Sequence, residues 1–208
     1  MSDYKKDKEK IIERYNQRIS KFGGNPESLA GGNELRRNIR YKILSEVLDL
    51  TGKTVLDLGC GFGGFYKYLS DRKIDCDYTG YDINENIIKI ANENFSDAKF
   101  EAKDILEDDF PEFDVIVSSS SFNNKLGEVD NYTFIKSILN KCYLHSKEAV
   151  AIDFLTSYVD YKHDYAFYYE PEKVLEISKS ITRRISIRHD YPLFEFCIYM
   201  YRDTVFPY

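Results

Sequence analysis

Residues 54–64 constrain the fold more strongly than any other part of the chain, because they combine an apolar run with a cluster of glycines. Val55, Leu56 and Leu58 predict a buried strand, and the glycines that follow predict a tight turn. Residues 65–69 are typical of the first turns of a helix. Glycine lets a backbone approach a ligand and a helix N-terminus offers unpaired N–H groups, so these residues predict a nucleotide-binding turn.

The position of Asp57 adds information that the glycine spacing alone lacks. Read as Gly59-x-Gly61-x-x-Gly64, the turn matches only the generic dinucleotide-binding pattern. Asp57 lies two residues before the first glycine, where the predicted strand meets the turn. Ligands of open α/β sheets bind beyond the carboxyl ends of the strands, so Asp57 is expected at the binding site.

The turn resembles motif I of the class I S-adenosylmethionine (SAM)-dependent methyltransferases, in the form Asp57-x-Gly59-x-Gly61-x-Gly63. Three later stretches resemble the second, third and fourth strands of that family in order and spacing: residues 78–84, 100–105 and 113–119. The resemblance is specific over residues 54–119 and weaker outside them. It implies SAM as the cofactor, with S-adenosylhomocysteine as the product.

The resemblance gives each acidic residue an expected partner on SAM. Asp82 would accept hydrogen bonds from both ribose hydroxyls, and Asp104 would accept one from the adenine amino group. Asp57 would face the ammonium group, and Arg40 would meet the SAM carboxylate or an anionic acceptor. The expected cofactor-binding residues are Arg40, Asp57, Gly59, Cys60, Gly61, Asp82, Ile83, Asp104, Ile105 and Ser118.

Taken singly, the same acids also have structural interpretations. Asp57 fits a loop acid that bonds backbone amides, and Asp82 fits a cap for the helix that follows it. Asp104 lies in an acidic run that fits a solvated loop. Their joint occurrence in successive strand–loop units favours the binding site over these separate interpretations.

The spacing of apolar residues predicts alternating strands and helices. Helices are predicted at residues 7–22, 33–50, 86–95 and 131–142, the second of them capped by Asn33. Beyond the motif strand, further strands are predicted at residues 78–81, 99–102, 114–117, 149–155, 183–188 and 194–201. Strands separated by helices favour a parallel sheet, whereas the last two are joined by too short a turn for a crossover and should pair antiparallel.

The predicted fold class is therefore α/β. A doubly wound, mostly parallel seven-stranded sheet would end in an antiparallel hairpin, which is the Rossmann-like methyltransferase fold that the resemblance implies. Residues 1–33 are predicted to form an N-terminal helical cap, and residues 34–208 the SAM-binding methyltransferase domain.

Composition bears on several classes of partner. The 208 residues carry a net charge of −6, which gives no support to nucleic-acid binding, and no apolar run is long enough to span a membrane. Four scattered cysteines predict reduced thiols and a cytoplasmic location. Three distant histidines offer no metal-ligand spacing, so no metal site is expected.

The acceptor side of the predicted site has weaker signals. The stretch after the fourth strand, residues 118–125, lacks the Asn/Asp-Pro-Pro-aromatic signature of amino methyltransferases. It contains Asn123, which is a candidate for the wall of the methyl-transfer pocket. His163 and His189 are candidate general bases because an imidazole titrates near neutrality, and the alternative for each is a surface or structural histidine.

The sequence thus predicts a SAM-dependent methyltransferase that acts on a small polar acceptor, with oxygen favoured over nitrogen and a context of glycan or specialised-metabolite modification. One alternative is a SAM-binding regulatory or partner subunit without catalysis. The other is an NAD(P)-dependent oxidoreductase, since Tyr158 and Lys162 have the Tyr-x-x-x-Lys spacing of short-chain dehydrogenases. The sequence does not predict an oligomeric state.

Overall fold

The chain folds around one seven-stranded sheet, seen in a computed structural model that describes residues 2–29 and 32–203. The strands are β1 Thr54–Leu58, β2 Asp77–Asp82, β3 Lys99–Ala102, β4 Phe113–Ser118, β5 Ser146–Leu155, β6 Ile185–Arg188 and β7 Glu195–Tyr201. The helices are α1 Ser2–Phe22, α2 Glu34–Ser45, α3 Gly64–Asp71, α4 Glu85–Asn94, α5 Asn131–His145 and α6 Pro171–Lys179. A short 3-10 helix, Pro26–Leu29, follows α1.

The strand order is β3-β2-β1-β4-β5-β7-β6, which confirms the predicted sheet. The first five strands pair in parallel, whereas β7 pairs antiparallel with both β5 and β6. The predicted terminal hairpin is thus confirmed. Strand order reverses between β1 and β4, and such a switch point opens a crevice beyond the carboxyl ends of the two strands.

Strand β1 is buried on both faces of the sheet. Val55 packs in a core cluster with Ile43 of α2 and Phe65 of α3, while Leu56 packs in a second cluster with Ile135 of α5. Successive side chains on a strand point to opposite faces, so a run of apolar residues is what a doubly covered strand requires. The same burial fixes the position of the turn that follows β1.

The structure differs from the sequence prediction at several element ends. Helix α2 begins after the predicted cap Asn33, whose side chain accepts from the Arg36 N–H, but it ends at Ser45 because Glu46 caps it. Residues 46–50 still carry Val47 and Leu50 into the core, so the apolar spacing extends beyond the helix itself. Strand β5 starts earlier than predicted, at Ser146.

Helix α6 is absent from the sequence prediction. It begins with Pro171 in its first turn, a position where the missing N–H costs nothing. Only Pro171, Val174 and Ser178 are buried along it, so its apolar stripe is narrow. A nine-residue helix with so few inward residues gives a weak periodic signal.

Helix α1 lies across the strand ends and is anchored near both of its ends. Near its start, the Tyr4 ring stacks on Phe134 of α5 with ring centroids 4.9 Å apart. Near its end, the Arg18 guanidinium donates to the Ser28 carbonyl at 2.8 Å and ties the helix to the 3-10 turn. Residues 30 and 31, within the predicted cap segment, lie outside the described residues.

Candidate functional site

The turn after β1 brings backbone atoms close to a cavity. Gly59 and Gly61 have φ angles of +68° and +56°, which side chains rarely adopt. A Cβ on Gly59 would lie 2.0 Å from Ser121 Oγ, and one on Gly61 would lie 2.7 Å from a methyl group of Leu29. The Gly59 N–H donates to the Tyr81 carbonyl at 2.7 Å, which fixes the turn against β2. Only glycine fits this cradle.

A cavity of about 160 Å³ opens beyond the carboxyl ends of β1, β2 and β4. It is enclosed by the glycine turn on one side and by α1 on the other. The predicted cofactor-binding residues on its wall are Arg40, Asp57, Gly59, Cys60, Gly61, Asp82, Ile83, Asp104 and Ile105. We refer to it as the cofactor cavity.

Ser118 is the predicted cofactor-binding residue that does not reach this wall. Its hydroxyl is buried and donates to the Leu58 carbonyl at 2.7 Å, linking β4 to β1. The next residues, Ser119, Ser120 and Ser121, line the cavity instead. The strand end was predicted at the right place, but the alternation of side chains turns Ser118 inward.

Asp57 is buried at the base of the cofactor cavity. The Tyr78 phenol donates to its Oδ2 at 2.7 Å. Loss of solvation raises the pKa of Asp57 to about 7, with a further rise from the charge of Asp82 and an opposing effect of the Tyr78 hydrogen bond. A carboxylate held in such a place gains from a positively charged ligand, because an opposite charge favours the ionised form.

Asp82 lies at the end of β2 and accepts from two backbone amides, Asn84 N–H at 3.0 Å and Gly61 N–H at 3.3 Å. Loss of solvation raises its pKa to about 6, against the lowering effect of its backbone hydrogen bonds. The cap of α4 is Asn84, whose side chain accepts from Asn86 N–H. Asn84, and not Asp82, therefore caps α4.

Asp104 is bound to helix α1. Lys8 Nζ donates to Asp104 Oδ2 at 2.8 Å and also contacts the Glu107 carboxylate, while Leu106 N–H donates to Asp104 Oδ1 at 2.9 Å. Asp104 is buried, so the solvated-loop interpretation of this acid does not hold. Its carboxylate is shared between the cavity wall and the helix above it.

The roof of the cofactor cavity was not identified from the sequence. Tyr4, Ile11, Ile12 and Tyr15 of α1 line it. The available signal was the apolar face of α1, at Ile11, Ile12 and Tyr15, which predicted a cap at the acceptor pocket but did not place it over the cofactor. A helix with one apolar face needs a partner surface, and here the strand ends supply it.

A second cavity of about 560 Å³ adjoins the first. The two share the wall residues Tyr15, Leu29, Arg40, Ser120 and Asn124. His163 and Asn123 line the second cavity. Asn123 is engaged there, because its Oδ1 accepts from Leu155 N–H at 3.0 Å.

His189 lies outside both of these cavities. Its ring faces Tyr158 and Phe196, with centroid distances of 6.1 and 5.8 Å. His163, in contrast, stacks on Tyr165 at 5.1 Å. The structure thus separates the two candidate bases and brings only His163 to a cavity wall.

Arg40 lies on the wall between the two cavities and is buried. Its Nε donates to Glu195 Oε2 at 2.7 Å. Burial raises the pKa of Glu195, against the lowering effect of Arg40. Because an ion pair of this kind holds both side chains in place, Arg40 is a fixed positive charge at the boundary.

The fold and the site together define a class of protein. A parallel sheet that ends in an antiparallel hairpin, with a glycine cradle and acidic strand ends at one cavity, is the Rossmann-like methyltransferase architecture. Residues 55–144 match the model of a family described as a methyltransferase domain.

Proteins with sequences similar to this chain are also named as methyltransferases. One relative is a protein of Mycobacterium tuberculosis whose name calls it a methyltransferase and states no acceptor. It is 29% identical over 153 residues, which cover 70% of this chain and 90% of its own length. The phosphoethanolamine N-methyltransferase of Plasmodium falciparum is 38% identical over 127 residues, which cover 59% of this chain but only 44% of that enzyme.

A solved structure shows the same fold. The magnesium protoporphyrin IX methyltransferase of Synechocystis, crystallised with bound S-adenosylhomocysteine, has a TM-score of 0.69 at 13% identity and covers 95% of this chain and 100% of its own. These matches support a class I SAM-dependent methyltransferase with SAM as its cofactor. Each of these matches is to a methyltransferase, which argues against the oxidoreductase alternative.

The residues of the cavity fit this cofactor. The glycine cradle admits no Cβ, because one would collide with Ser121 or Leu29 on the cavity wall. Two carboxylates with raised pKa values, Asp57 and Asp82, line the space where a cationic nucleoside would lie. Within residues 2–29 and 32–203, neither carboxylate forms an ion pair with a protein cation. A positively charged ligand would compensate these two carboxylates.

Three further features concern the membrane, metals and the cysteines. Across the described ranges, no helix combines the length and apolar character needed to cross a bilayer. In the same part of the chain, His, Cys, Asp and Glu side chains form no group of three suited to a metal ion. The four cysteines are free thiols.

Proposed function

We propose that this methyltransferase transfers a methyl group to a hydroxyl of a small polar acceptor bound in the second cavity. The observation that carries the proposal is the contact between the two cavities, which share five wall residues. An acceptor there would lie next to the cofactor, and a volume of about 560 Å³ is suited to a small molecule. Nucleic acid is not proposed as the acceptor.

The proposed cofactor contacts follow the cavity wall. Asp82 would accept from the ribose hydroxyls, Asp104 would accept from the adenine amino group, and Asp57 would face the ammonium group. Gly59 and Gly61 would line the sulfonium with their backbone atoms. SAM, when bound, supplies a methyl group already activated by its positively charged sulfur.

The remaining task of the chain is to orient the acceptor and exclude water. We propose that residues 1–33 act as the cap that closes the site, with α1 as its roof. Tyr4, Ile11 and Ile12 present apolar surface to the cavity. This cap would desolvate the reacting groups, which strengthens electrostatic interactions inside the site.

A hydroxyl acceptor must lose a proton, and we propose His163 as the group that takes it. His163 lines the second cavity, and its backbone N–H donates to the Tyr168 hydroxyl at 3.1 Å. Asn123 is proposed as a positioning residue, because its Oδ1 already holds Leu155 N–H. His189 is less favoured because it lies outside the cavity.

An acceptor screen tests this function. Small alcohols, phenols and sugars are compared with their amino counterparts, and release of S-adenosylhomocysteine is measured. We expect turnover with hydroxyl compounds, a loss of roughly 10²- to 10⁴-fold in kcat for His163→Ala, and little change in its SAM affinity. His189→Ala is the matched control, and we expect it to keep the kcat of the parent protein. Unchanged kcat in His163→Ala would remove that residue from the proposal.

The second candidate is transfer to an amine. It is favoured by the 38% identity, over 127 residues, to an enzyme named as a phosphoethanolamine N-methyltransferase. Turnover of the amino compounds alone, in the same screen, would favour this candidate and contradict the hydroxyl proposal. A chain that binds SAM but turns over none of the panel would favour the SAM-binding subunit instead.

A further inference from the structure

The second cavity is unusual in the number of arginines that reach its wall. Arg14 comes from α1, and Arg36 and Arg40 come from α2, one helical turn apart. Residues four apart lie on the same face of a helix, so Arg36 and Arg40 point to one side of α2. Positive charges from α1 and α2 therefore lie at the wall of the same cavity.

These arginines differ in whether a protein carboxylate forms an ion pair with them. Arg40 is paired with Glu195. Among the described residues, Arg14 and Arg36 form no ion pair with a carboxylate. The remaining acid on the wall, Asp160, is exposed. The cavity thus carries two guanidiniums without a direct carboxylate partner in the described part of the chain, although the charge of Arg36 acts on Glu195 and, against the effect of burial, lowers its pKa.

Arg14 is held in place by neutral groups. Its Nη1 donates to Asn124 Oδ1 at 3.2 Å, and its guanidinium lies 4.2 Å from the centroid of the Tyr165 ring. A guanidinium has five N–H donors, so one hydrogen bond to an amide leaves others for a ligand. The contact with the ring restrains the group, and a planar guanidinium is suited to bidentate binding of a phosphate or carboxylate.

The rest of the wall supplies flat aromatic surface. Tyr161, Tyr165 and Tyr168 line the cavity, and the His163 ring stacks on Tyr165 with an interplanar angle of 17°. Tyrosine offers apolar contact area with a hydroxyl at its edge. Such a wall suits the body of a small molecule, while the arginines suit a charged substituent on it.

We propose that the second cavity binds an acceptor that carries a phosphate or carboxylate group, held between Arg14 and Arg36 beside the tyrosine wall. The group to be methylated would then lie at the boundary with the cofactor cavity, near Ser120 and Asn124. This inference rests on the proposed acceptor role of the second cavity, and it narrows the acceptor from a small polar molecule to an anionic one.

Binding of model anions tests the inference. Phenyl phosphate, benzoate and the neutral benzyl alcohol are titrated by calorimetry into protein saturated with S-adenosylhomocysteine. We expect the better of the two anions to bind about tenfold or more tightly than benzyl alcohol, because charge-assisted hydrogen bonds are the stronger ones. The preferred anion, phenyl phosphate or benzoate, identifies the chemical class.

Two substitutions assign the effect to the cavity. Arg36 is exposed and its backbone alone takes part in the α2 cap, so Arg36→Gln is expected to fold normally. It should weaken anion binding about five- to tenfold and leave benzyl alcohol unchanged. Lys136→Gln is the matched control, because Lys136 is an exposed cation on α5 away from both cavities. Lys136→Gln should leave the affinity for both anions and for benzyl alcohol unchanged.

The outcomes separate this inference from the proposed function. Equal binding of benzyl alcohol and both anions, or unchanged anion affinity in Arg36→Gln, would overturn the anionic acceptor while leaving methyl transfer intact. Failure of S-adenosylhomocysteine to bind in the same calorimetric series would instead overturn the cofactor site, and the acceptor site with it. Arg14→Gln provides a second cavity variant with the same expected loss of anion affinity.

Discussion

Tyr78 and Asp57 are joined by a 2.7 Å hydrogen bond between two adjacent parallel strands, with the phenol as donor. Both side chains are buried, and Asp57 forms part of the cofactor cavity while Tyr78 lies behind it. The bond therefore connects the core of the sheet to the ligand site. It also supports the ionised form of a carboxyl group that burial would otherwise keep protonated.

Replacing Tyr78 with Phe should destabilise the protein by about 1 to 3 kcal/mol, the usual cost of leaving a buried polar group without its partner. Urea unfolding measures this change. Tyr66→Phe is the matched control, since it removes a comparable Tyr–Asp hydrogen bond, to Asp97, at the surface. Equal losses of unfolding free energy in both variants would show that the buried Tyr78–Asp57 hydrogen bond stabilises the protein no more than an exposed one.

The raised pKa of Asp57 predicts a pH dependence of stability. Its folded pKa, about 7, lies above the ordinary value of 3.8, so the folded state holds a proton that the unfolded state has released. The stability linked to this proton is present below the unfolded pKa and is lost as pH rises towards the folded pKa. Asp82, whose pKa is also raised, is only half-buried, so Asp57 is the clearer case.

Asp57→Asn tests this linkage. An amide does not titrate, so the variant should gain stability relative to the parent protein as pH rises from about 4 to about 7. The measurement is the free energy of urea unfolding, without ligand, at several pH values. A difference between the two proteins that stays constant over this range would show that Asp57 ionises normally.

Asp82→Ala should weaken SAM binding about 10- to 100-fold, because the proposed ribose contacts are hydrogen bonds to a charged acceptor. Equilibrium binding of SAM measures the effect. Asp77→Ala is the matched control, since Asp77 is an exposed carboxylate at the opposite end of β2. Unchanged affinity in Asp82→Ala would contradict the proposed ribose contact.

The fold was predictable because its signals are local. Runs such as Val55–Leu58 followed by a glycine turn are typical of strands buried between two layers, and the glycines leave the backbone open to close approach. Helix α6 escaped prediction because three buried residues leave too little periodicity. The end of α2 escaped it because Val47 and Leu50 continue the apolar spacing past the cap.

The candidate site was predictable only where it follows strand ends. Asp57 and Asp82 lie at such ends and reach the cavity. The roof depends on contacts between residues far apart in sequence, such as Lys8 with Asp104, and no local pattern specifies them. The separation of His163 from His189 likewise depends on how the long loop after β5 and the short turn after β6 fold, which apolar periodicity does not describe.

Asp7 fixes the start of the roof helix to the loop before α5. Its carboxylate accepts from the backbone N–H groups of Gly127, Glu128 and Val129 at 2.9, 2.9 and 3.2 Å. Burial alone would raise the pKa of Asp7, but these three backbone bonds outweigh it and lower the pKa. The stability linked to Asp7 is therefore present above its unfolded pKa and is lost as pH falls through the folded value.

Asp7→Ala should release α1 from this loop, because three amides lose their acceptor at once. We expect faster hydrogen exchange along α1, an unchanged rate in β1, and weaker SAM binding, since Tyr4, Ile11 and Ile12 would no longer cover the cofactor cavity. Glu9→Ala, an exposed acid on the same helix, is the control and should alter neither exchange nor affinity. Exchange that rises in β1 as much as in α1 would mean that Asp7 supports the whole fold. Faster exchange in α1 with unchanged SAM affinity would mean that the roof does not contribute to cofactor binding.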